Sequence, residues 1–502
     1  MNALRGGRRC LGAAFAAALL AGPAAGEEKP APEMSPQARP VPHSQDAFGP
    51  DPRYDDKPYS EEEELRIYGG KFQVRNPRPM LELGRPIYQG GPLQPPGHGL
   101  GRKNPTDHAF SVYGDWRVAF ARNSDGARAF NVLATRLNLD VDWKITGTER
   151  IHAFFRPLDH NGDFTRCQSR GAAGGSRCDL KLDAKAEALF FEGDLGQLMS
   201  GWTDRYQRFD LPIAVGKMPL LFQNGVWLED AISGFAFTLP GKHSRSADIS
   251  NFDVTFFAGL DNVNTAGIVD AAGNATASNR VLGVTTFLEA NQGYWELGLA
   301  RVAPKGADLG RAYNNFAIAF TRRYGGWLSN SVRLIHNTGQ NPSDGTPRRA
   351  NGTLLLVENS LVTRKPLTLV PYLNLFYGKD RPQSVARAAD AGGVLKNTGI
   401  NFETDGLTGF PRLDDTAGNT HGGALGLEYL FDLKRQLVVE VATVRPHGNA
   451  ANRAIPGAQT GLGLRYQQAL DQAWIFRADL MLAHRDNLKD VGGIRFEIRR
   501  KF

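Results

Sequence analysis

The sequence of 502 residues has little cysteine and, beyond its first 26 residues, no long hydrophobic run. A membrane-spanning helix needs about 18 or more consecutive apolar residues, so a helical membrane protein is excluded. An excess of one charge is also lacking, because 59 basic residues stand against 52 acidic residues. This near balance leaves no electrostatic footprint for a nucleic-acid partner. The composition fits either a soluble all-β protein or a transmembrane β-barrel, whose strands carry apolar residues at alternate positions.

Local motifs of common catalytic and cofactor sites are missing as well. The chain contains no Gly-x-Ser-x-Gly, no His-Glu-x-x-His, no phosphate-binding Gly-x-x-x-x-Gly-Lys-Ser/Thr and no Cys-x-x-Cys-His motif. Its ten histidines are scattered without ligand spacing. The run Asp159–Asp163 starts like a calcium loop, but its glycine comes too early and Arg170 replaces the bidentate glutamate. We therefore predict that the protein is not an enzyme and has no cofactor and no metal site.

What the sequence does contain begins with an export signal. Arg5, Arg8 and Arg9 precede the apolar run Leu11–Ala21, and small residues at 24–26 provide a cleavage site. We predict that residues 1–26 are a signal peptide that is removed on export.

Two cysteines, Cys167 and Cys178, lie beyond the signal peptide and enclose a flexible spacer rich in Gly, Ala and Ser. In an exported chain such a pair predicts a disulfide that closes a loop. A pair of metal thiolates is the alternative, although no further cysteine and no pair of histidines lies nearby.

Residues 27–105 differ in composition from the rest of the chain. Eight prolines fall within 29–58, and further prolines interrupt the stretch up to residue 96, so no regular periodicity develops there. We predict a Pro-rich, largely irregular periplasmic leader, with a plug of the pore as the alternative. The folded domain is predicted to occupy residues 106–502.

From Phe110 onward the dominant pattern has a period of two. Leu137–Trp143, Leu180–Ala188 and Leu462–Tyr466 alternate apolar with polar residues, which is typical of strands with one apolar and one polar face. The segment divides into about 18 such strands, with 16 as the alternative count. Each strand is about ten residues long, which is the length that crosses a bilayer at a tilt.

The connections between these strands alternate in length. Those after even-numbered strands are short, as at Lys144–Thr148, and those after odd-numbered strands are long, as at Gly378–Asn419. Leu195–Asp210 and Leu239–Ile249 are exceptions, since both are long where short turns are expected. Aromatic residues also cluster beside the short turns, as in an interfacial girdle. We therefore predict an all-β fold, a transmembrane antiparallel up-and-down β-barrel.

The last strand adds a family resemblance. Ile494, Phe496, Ile498 and the terminal Phe502 share one face of this strand. This pattern resembles the terminal strand of Gram-negative outer-membrane proteins, and the chain is similar in length and layout to bacterial porins and alginate-export-type barrels. The resemblance implies insertion into outer-membrane lipid by the barrel-assembly machinery, with Phe502 as the assembly signal.

Charged residues on the polar strand faces are the candidate pore lining. A lipid-facing Arg or Lys costs roughly 2–4 kcal/mol at mid-depth, so we expect these side chains to point into a hydrated lumen. The predicted pore-lining residues are Arg136, Asp140, Asp142, Lys181, Asp183, Lys185, Glu187, Arg465, Arg495, Glu497 and Arg499. Because both signs of charge occur, we expect only a mild selectivity by charge.

The connection Phe222–Ala231 corresponds to the third external loop, which narrows the channel in porins. Its acids, Glu229 and Asp230, are candidate constriction residues. Because this loop is much shorter than a typical porin's, we favour ordinary loop carboxylates as the interpretation of these two residues, with constriction acids as the alternative.

Together these features predict a porin-like outer-membrane channel that passes small hydrophilic solutes by passive diffusion. Export or uptake of an acidic polysaccharide or oligosaccharide is the alternative that the alginate-export resemblance implies. A barrel enzyme without a linear motif and a sleeve around partner electron carriers are further alternatives.

Overall fold

The computed structural model describes residues 77–84, 96–160, 162–169, 175–270, 275–306, 308–388, 390–399, 406–432 and 434–502. The predicted signal peptide 1–26 and most of the predicted leader 27–105 lie outside the described residues.

Eighteen antiparallel strands form one closed barrel. Numbered β1 to β18 in chain order, they are Ala109–Ser124, Ala129–Lys144, Arg150–Phe155, Ala186–Asp194, Pro212–Phe222, Leu228–Ser244, Ile249–Asp261, Asn279–Ala290, Gly293–Pro304, Tyr313–Tyr324, Leu328–Thr338, Asn351–Leu361, Leu369–Arg381, Thr420–Asp432, Arg435–Pro446, Gln459–Ala469, Trp474–Arg485 and Val491–Lys501. Each strand pairs with the next, and β18 pairs with β1 to close the sheet. The predicted fold class and the predicted count of about 18 strands are confirmed.

Shorter elements lie in the connections of the described chain. The short strands are Leu81–Gly84, Asp159–His160, Asp163–Ser169, Ser176–Asp179, Thr265–Val269, Ala275–Thr276 and Ala386–Arg387. Helix α1 is Leu195–Thr203, and single 3₁₀ turns occur at Leu309–Arg311 and Ala450–Asn452. No helix within the described ranges is long and apolar enough to cross a membrane.

The alternation of side chains explains why these segments form a barrel wall. On β18, Ile494 and Phe496 are each 39% exposed, whereas Arg495 and Glu497 between them are buried. Apolar residues therefore face outward and polar residues face the interior. This is the reverse of a water-soluble protein, and it is expected of a barrel that is surrounded by lipid.

The two ends of the barrel carry different connections. One end of the barrel, which we call the turn end, holds the start of β1 and the end of β18. It carries the connections 145–149, 245–248, 291–292 and 325–327. The opposite end holds the long connections 156–185, 262–278, 382–419 and 447–458; we call it the loop end.

Both predicted exceptions to this alternation have a structural explanation. The connection Leu195–Asp210 does lie at the turn end, and helix α1 occupies most of it. The long connection predicted at Leu239–Ile249 was wrong, because β6 continues to Ser244 and leaves only residues 245–248 between the strands. The two strands stay paired beyond the last residues that clearly alternate between apolar and polar, so the connection is shorter than predicted.

The predicted strand Leu180–Ala188 was wrong in its first half, because β4 begins only at Ala186. Lys181, Asp183 and Lys185 consequently lie in the connection that precedes β4, not on a strand face. The alternation there buries nothing, since Leu182 is 72% exposed. A period of two without a buried face does not specify a strand.

The predicted disulfide is present between Cys167 and Cys178. The two residues are direct partners in a hairpin formed by Asp163–Ser169 and Ser176–Asp179. This hairpin pairs with residues 131–135 of β2, which the short strand β3 does not reach. The disulfide therefore lies in a segment that extends the barrel wall at the loop end.

Candidate functional site

The tip of the hairpin between β5 and β6 lies inside the barrel. Trp227 at this tip is fully buried, and its Nε1 donates a hydrogen bond to Oδ1 of Asn315 on the inner face of β10 at 2.9 Å. The indole packs against Gly298 of β9, where an added Cβ would lie 2.6 Å from the ring. The segment Phe222–Ala231, which corresponds in position to a porin's narrowing loop, therefore reaches into the interior.

A second inserted segment, residues 382–419, joins β13 to β14 and packs against this tip. The backbone N–H of Val385 donates to the carbonyl of Trp227 at 2.8 Å. The short strand Ala386–Arg387 pairs in parallel with Leu228 and Glu229. Among the described residues of the second segment, Val385, Leu395 and Phe410 join the core inside the barrel, so the two segments support each other.

The predicted constriction acids hold these inserted segments in place. Glu229 accepts a hydrogen bond from Arg387 Nη2 at 3.1 Å. Asp230 is buried and accepts from the backbone N–H of Asn264 at 2.8 Å and from its side-chain amide at 3.0 Å. Neither Arg387 nor Asn264 was predicted, since both lie in connections that the strand pattern does not address.

A cluster of three arginines around one aspartate lines the inner wall of β16 to β18. Oxygens of Asp479 lie 2.8 Å from nitrogens of Arg465, Arg477 and Arg495. Arg495 is fully buried, and its guanidinium lies 5.4 Å from the ring centroid of Phe410 in the second inserted segment. Arg477 and Asp479 were not predicted, although their spacing of two within one strand places both on the same face; only register shows that this face adjoins Arg465.

Next to this cluster, Arg499 remains partly open to the interior space. Its Nη2 lies 2.8 Å from Oδ1 of Asp115, and 35% of its side chain is exposed. Asp115 also accepts from the amide of Asn138 at 3.1 Å and contacts Arg117 at 3.2 Å. From β16 through β18 to β1, the wall therefore presents five arginines (Arg117, Arg465, Arg477, Arg495 and Arg499) and three carboxylates (Asp115, Asp479 and Glu497) to the interior.

A second charged network connects the wall to the inserted segment 382–419. Asp390 in that segment lies 2.6 Å from Arg156 and 3.0 Å from Arg136. Asp159 lies 3.3 Å from Arg136 and 3.7 Å from Arg156, and Glu187 lies 3.2 Å from Arg156. Two arginines are thus shared among three carboxylates.

This sharing separates the pKa values of two of these acids. Burial raises the pKa of Asp159 to about 6, even though Arg156 and Arg136 oppose this shift. Burial also acts to raise the pKa of Asp390, but the same two arginines outweigh it and hold that pKa below its usual value. Asp390 is therefore the charged partner of the arginines at neutral pH, and Asp159 titrates near pH 6.

A cavity of about 590 Å³ lies between this network and the hairpin tip. Aromatic residues line part of it, namely Tyr113, Phe154 and Phe190, and the ring of His152 stacks on that of Phe190 at 5.0 Å. Charged residues line the remainder, including Asp140, Arg156, Glu187, Lys217 and Asp390. The cavity has a size in which small-molecule ligands are commonly bound.

No protein-family model and no curated protein matches this sequence. Solved structures of outer-membrane porins do match it in fold. OpdQ of Pseudomonas aeruginosa has 7% sequence identity and a TM-score of 0.50, covering 78% of this chain and 98% of its own. The fold is that of a porin-type barrel. OccK9 (OpdG) of the same organism has 13% identity and a TM-score of 0.49, covering 78% of this chain and 98% of its own.

A barrel of Escherichia coli is also similar. Wzi, an outer-membrane protein involved in group 1 capsule assembly and described as a carbohydrate-binding β-barrel, has 15% identity and a TM-score of 0.43. The match covers 78% of this chain and 85% of Wzi.

Within this porin-type barrel, the predicted lining residues fall into separate groups. Arg465, Arg495, Glu497 and Arg499 lie on one stretch of the inner wall. Arg136, Asp140, Asp142 and Glu187 lie beside the cavity or the network around it; Asp142 lies 3.6 Å from both Arg150 and His152. Lys181, Asp183 and Lys185 belong to neither group. Among the residues that the structure describes, no group of three or more His, Cys, Asp or Glu side chains could hold a metal ion.

Proposed function

We propose that the protein is an outer-membrane channel that passes small hydrophilic solutes by passive diffusion. The observation that carries this proposal is the charged inner wall, on which arginines and carboxylates face the interior around two inserted segments and a cavity of about 590 Å³. Charged side chains at a barrel's inner face are stable where water reaches them, and they set ion preference in pores.

The outward apolar face supports a location in the outer membrane. Large apolar side chains such as Leu282 and Leu425 are more than 60% exposed on the outside of the barrel, which is unfavourable in water but stabilising in lipid. Phe502, the proposed assembly signal, is held at the seam, where its backbone N–H donates to the carbonyl of Gly114 at 3.0 Å.

The balance of charge on the inner wall supports a modest preference for anions. Along β16, β17, β18 and β1, the arginines at positions 117, 465, 477, 495 and 499 outnumber the three carboxylates of Asp115, Asp479 and Glu497. Excess positive charge raises the local concentration of anions in a confined aqueous path.

Planar-bilayer recording on the purified barrel tests the proposal. We expect an ohmic conductance. In a salt gradient, we expect the reversal potential to be displaced from zero toward the equilibrium potential of the anion. The refolded barrel should also migrate faster on an unheated detergent gel than after boiling. A folded, heat-modifiable barrel that conducts no ions would reject the channel.

A second candidate function is passage of an acidic oligosaccharide, which the aromatic lining of the cavity favours. Sugars stack their apolar faces on aromatic rings and hydrogen-bond to charged side chains, and Tyr113, Phe154 and Phe190 are available there. Addition of uronate oligomers during recording should then block the current in a concentration-dependent manner, whereas equal concentrations of a simple organic anion should not.

A further inference from the structure

The outside of the barrel carries basic side chains at the loop end of seven strands. These residues are all exposed and lie on the same face as the apolar residues that cover the outside. They are Arg280, Arg301, His336, Lys379, His421, Arg445 and His484. We call these seven residues the basic belt.

The belt lies directly beyond the apolar surface. Exposed apolar residues occupy the same face two to four positions nearer the turn end on each of these strands. These residues are Leu282, Leu299, Leu334, Leu375, Leu425, Val441 and Leu482. The order along each strand is therefore apolar side chain first and basic side chain second, as at a boundary between hydrocarbon and headgroups.

Strand register places several of the cations side by side. Tyr377 of β13 is the partner of His421 of β14, and His421 is the partner of Arg445 of β15. Lys379 lies two residues beyond Tyr377 toward the loop end. It pairs with Thr353 of β12, which in turn pairs with His336 of β11, so Lys379 and His336 lie level with each other. Lys379 and Arg445 are separated by β14, about two strand spacings of 4.8 Å, and their long side chains can approach one anionic group that lies over His421.

Three basic residues of the belt lack the ion-pair partners that many charged residues of this protein have. Within the described part of the chain, Arg280, Lys379 and Arg445 form no ion pair, and Arg301 donates only to the amide of Asn314. His484 differs, since it contacts two aspartates of its own connection.

Arginines near the turn end are placed differently. Arg322, Arg435 and Arg500 lie over the rings of neighbouring aromatic residues at 5.2–5.8 Å from the ring centroids. In the described part of the chain, Arg280, Lys379 and Arg445 at the loop end thus remain available to a negatively charged partner, although Lys242 near the turn end is also exposed and forms no ion pair.

We propose that the basic belt binds the phosphate groups of an anionic glycolipid of the lipid A type in the outer leaflet. The acyl chains of this lipid contact the apolar residues, while its phosphates contact Lys379 and Arg445 and the neighbouring cations. This proposal rests on the proposed outer-membrane location, with the loop end facing outward, but not on conduction of ions.

Native mass spectrometry of the full-length mature barrel in detergent tests this proposal. The probes are bisphosphorylated lipid A, the same lipid after removal of both phosphates, and inorganic phosphate alone. We expect the wild-type barrel to retain the bisphosphorylated lipid in preference to the dephosphorylated one. The double variant Lys379→Gln/Arg445→Gln should bind the bisphosphorylated lipid at least about tenfold more weakly, because each cation near a charged lipid surface contributes to binding.

The matched control is Arg322→Gln/Arg500→Gln, which removes two outward arginines from the opposite rim and should leave this affinity unchanged. Equal retention of both lipids, or an equal loss in the control, would overturn the proposal. If millimolar inorganic phosphate displaced the lipid, the belt would be an anion site without selectivity for lipid, and this result would also overturn the proposal. Conductance of the same preparations separates the two proposals, since a non-conducting barrel that still discriminates the lipids rejects the channel alone.

Discussion

Trp227 Nε1 donates a hydrogen bond of 2.9 Å to Oδ1 of Asn315, and this bond joins the tip of an inserted hairpin to the opposite inner wall of the barrel. The indole is fully buried and lies in a recess that Gly298 leaves open. Asn315 is itself buried and donates to the carbonyl of Gln383 at 2.9 Å in the second inserted segment. One residue of the wall thus positions both segments that narrow the interior.

Trp227→Ala should release the hairpin tip and widen the conducting path. Removal of a fully buried Trp leaves a cavity and typically lowers the free energy of unfolding by about 3–5 kcal/mol, so the tip should become mobile. We expect a larger and noisier single-channel current. The matched control is Trp327→Ala at the turn end, where the side chain is 57% exposed; equal currents in both variants would contradict the proposed role.

Arg499→Glu should shift the ion selectivity toward cations. Arg499 is the partly exposed member of the arginine-rich wall, so reversal of its charge changes the field in the conducting path without burying a new charge. We expect the reversal potential in a salt gradient to move toward the equilibrium potential of the cation. A reversal potential equal to that of the wild type would remove Arg499 from the pore lining.

Arg495→Glu should instead prevent folding. Arg495 is fully buried and pairs with Asp479 at 2.8 Å, so the substitution places two buried carboxylates together, and breaking a buried ion pair costs about 3–5 kcal/mol. Loss of the heat-modifiable band on detergent gels is the expected result. A folded Arg495→Glu barrel would show that water reaches this position.

Removal of the disulfide should loosen one wall segment and leave the barrel intact. The link closes a loop with a sequence separation of 11, and its loss is worth up to ~3 kcal/mol in the chain-entropy model. We expect Cys167→Ser/Cys178→Ser to be cleaved by protease within 163–179 while it still shows the heat-modifiable band. A double variant that is as resistant as the wild type would show that pairing with β2 holds the hairpin alone.

Asp159→Asn should change how stability depends on pH. The pKa of Asp159 is raised from 3.8 to about 6 in the folded protein, so between these values the folded carboxyl keeps a proton that the unfolded one has lost. Its contribution to stability therefore falls as the pH rises through this window. Relative to wild type, the variant should gain stability between pH 4 and pH 7 in urea unfolding. Asp210→Asn, at an exposed position, should show no such gain.

The strand pattern was predictable because one physical cause determines it along most of the wall. Alternation such as that of Leu462–Tyr466 buries one face and exposes the other, and this fixes both strand and register. The same pattern failed at Leu180–Lys185, where no neighbouring strand accepts the segment. The basic residues of the outer rim were not predicted from the sequence, and only register shows that His421 lies level with Arg445 and His336 with Lys379.

The inserted segments were harder to predict. Family resemblance pointed to Phe222–Ala231, yet the segment 382–419 has no periodicity, and its apolar residues Val385, Leu395 and Phe410 are buried by long-range contacts alone. The burial of Arg495 follows from the position of Phe410 above it. Polar strand positions could therefore be assigned to the interior, but their access to water depends on which segments fold over them.

The seam between β1 and β18 governs the order in which this chain can be assembled. Partners across it, such as Asp115 and Arg499, are 384 positions apart in sequence. Apart from residues 109–112, which pair with Leu81–Gly84, the first barrel strand therefore keeps one edge of unpaired backbone groups until the last strand has arrived, and open edges invite pairing with other chains. Contacts of such long range also form slowly. The newly made chain must consequently be kept from pairing with other chains until its last strand is in place. A mutation that prevents β18 from pairing leaves the other strands in an open sheet.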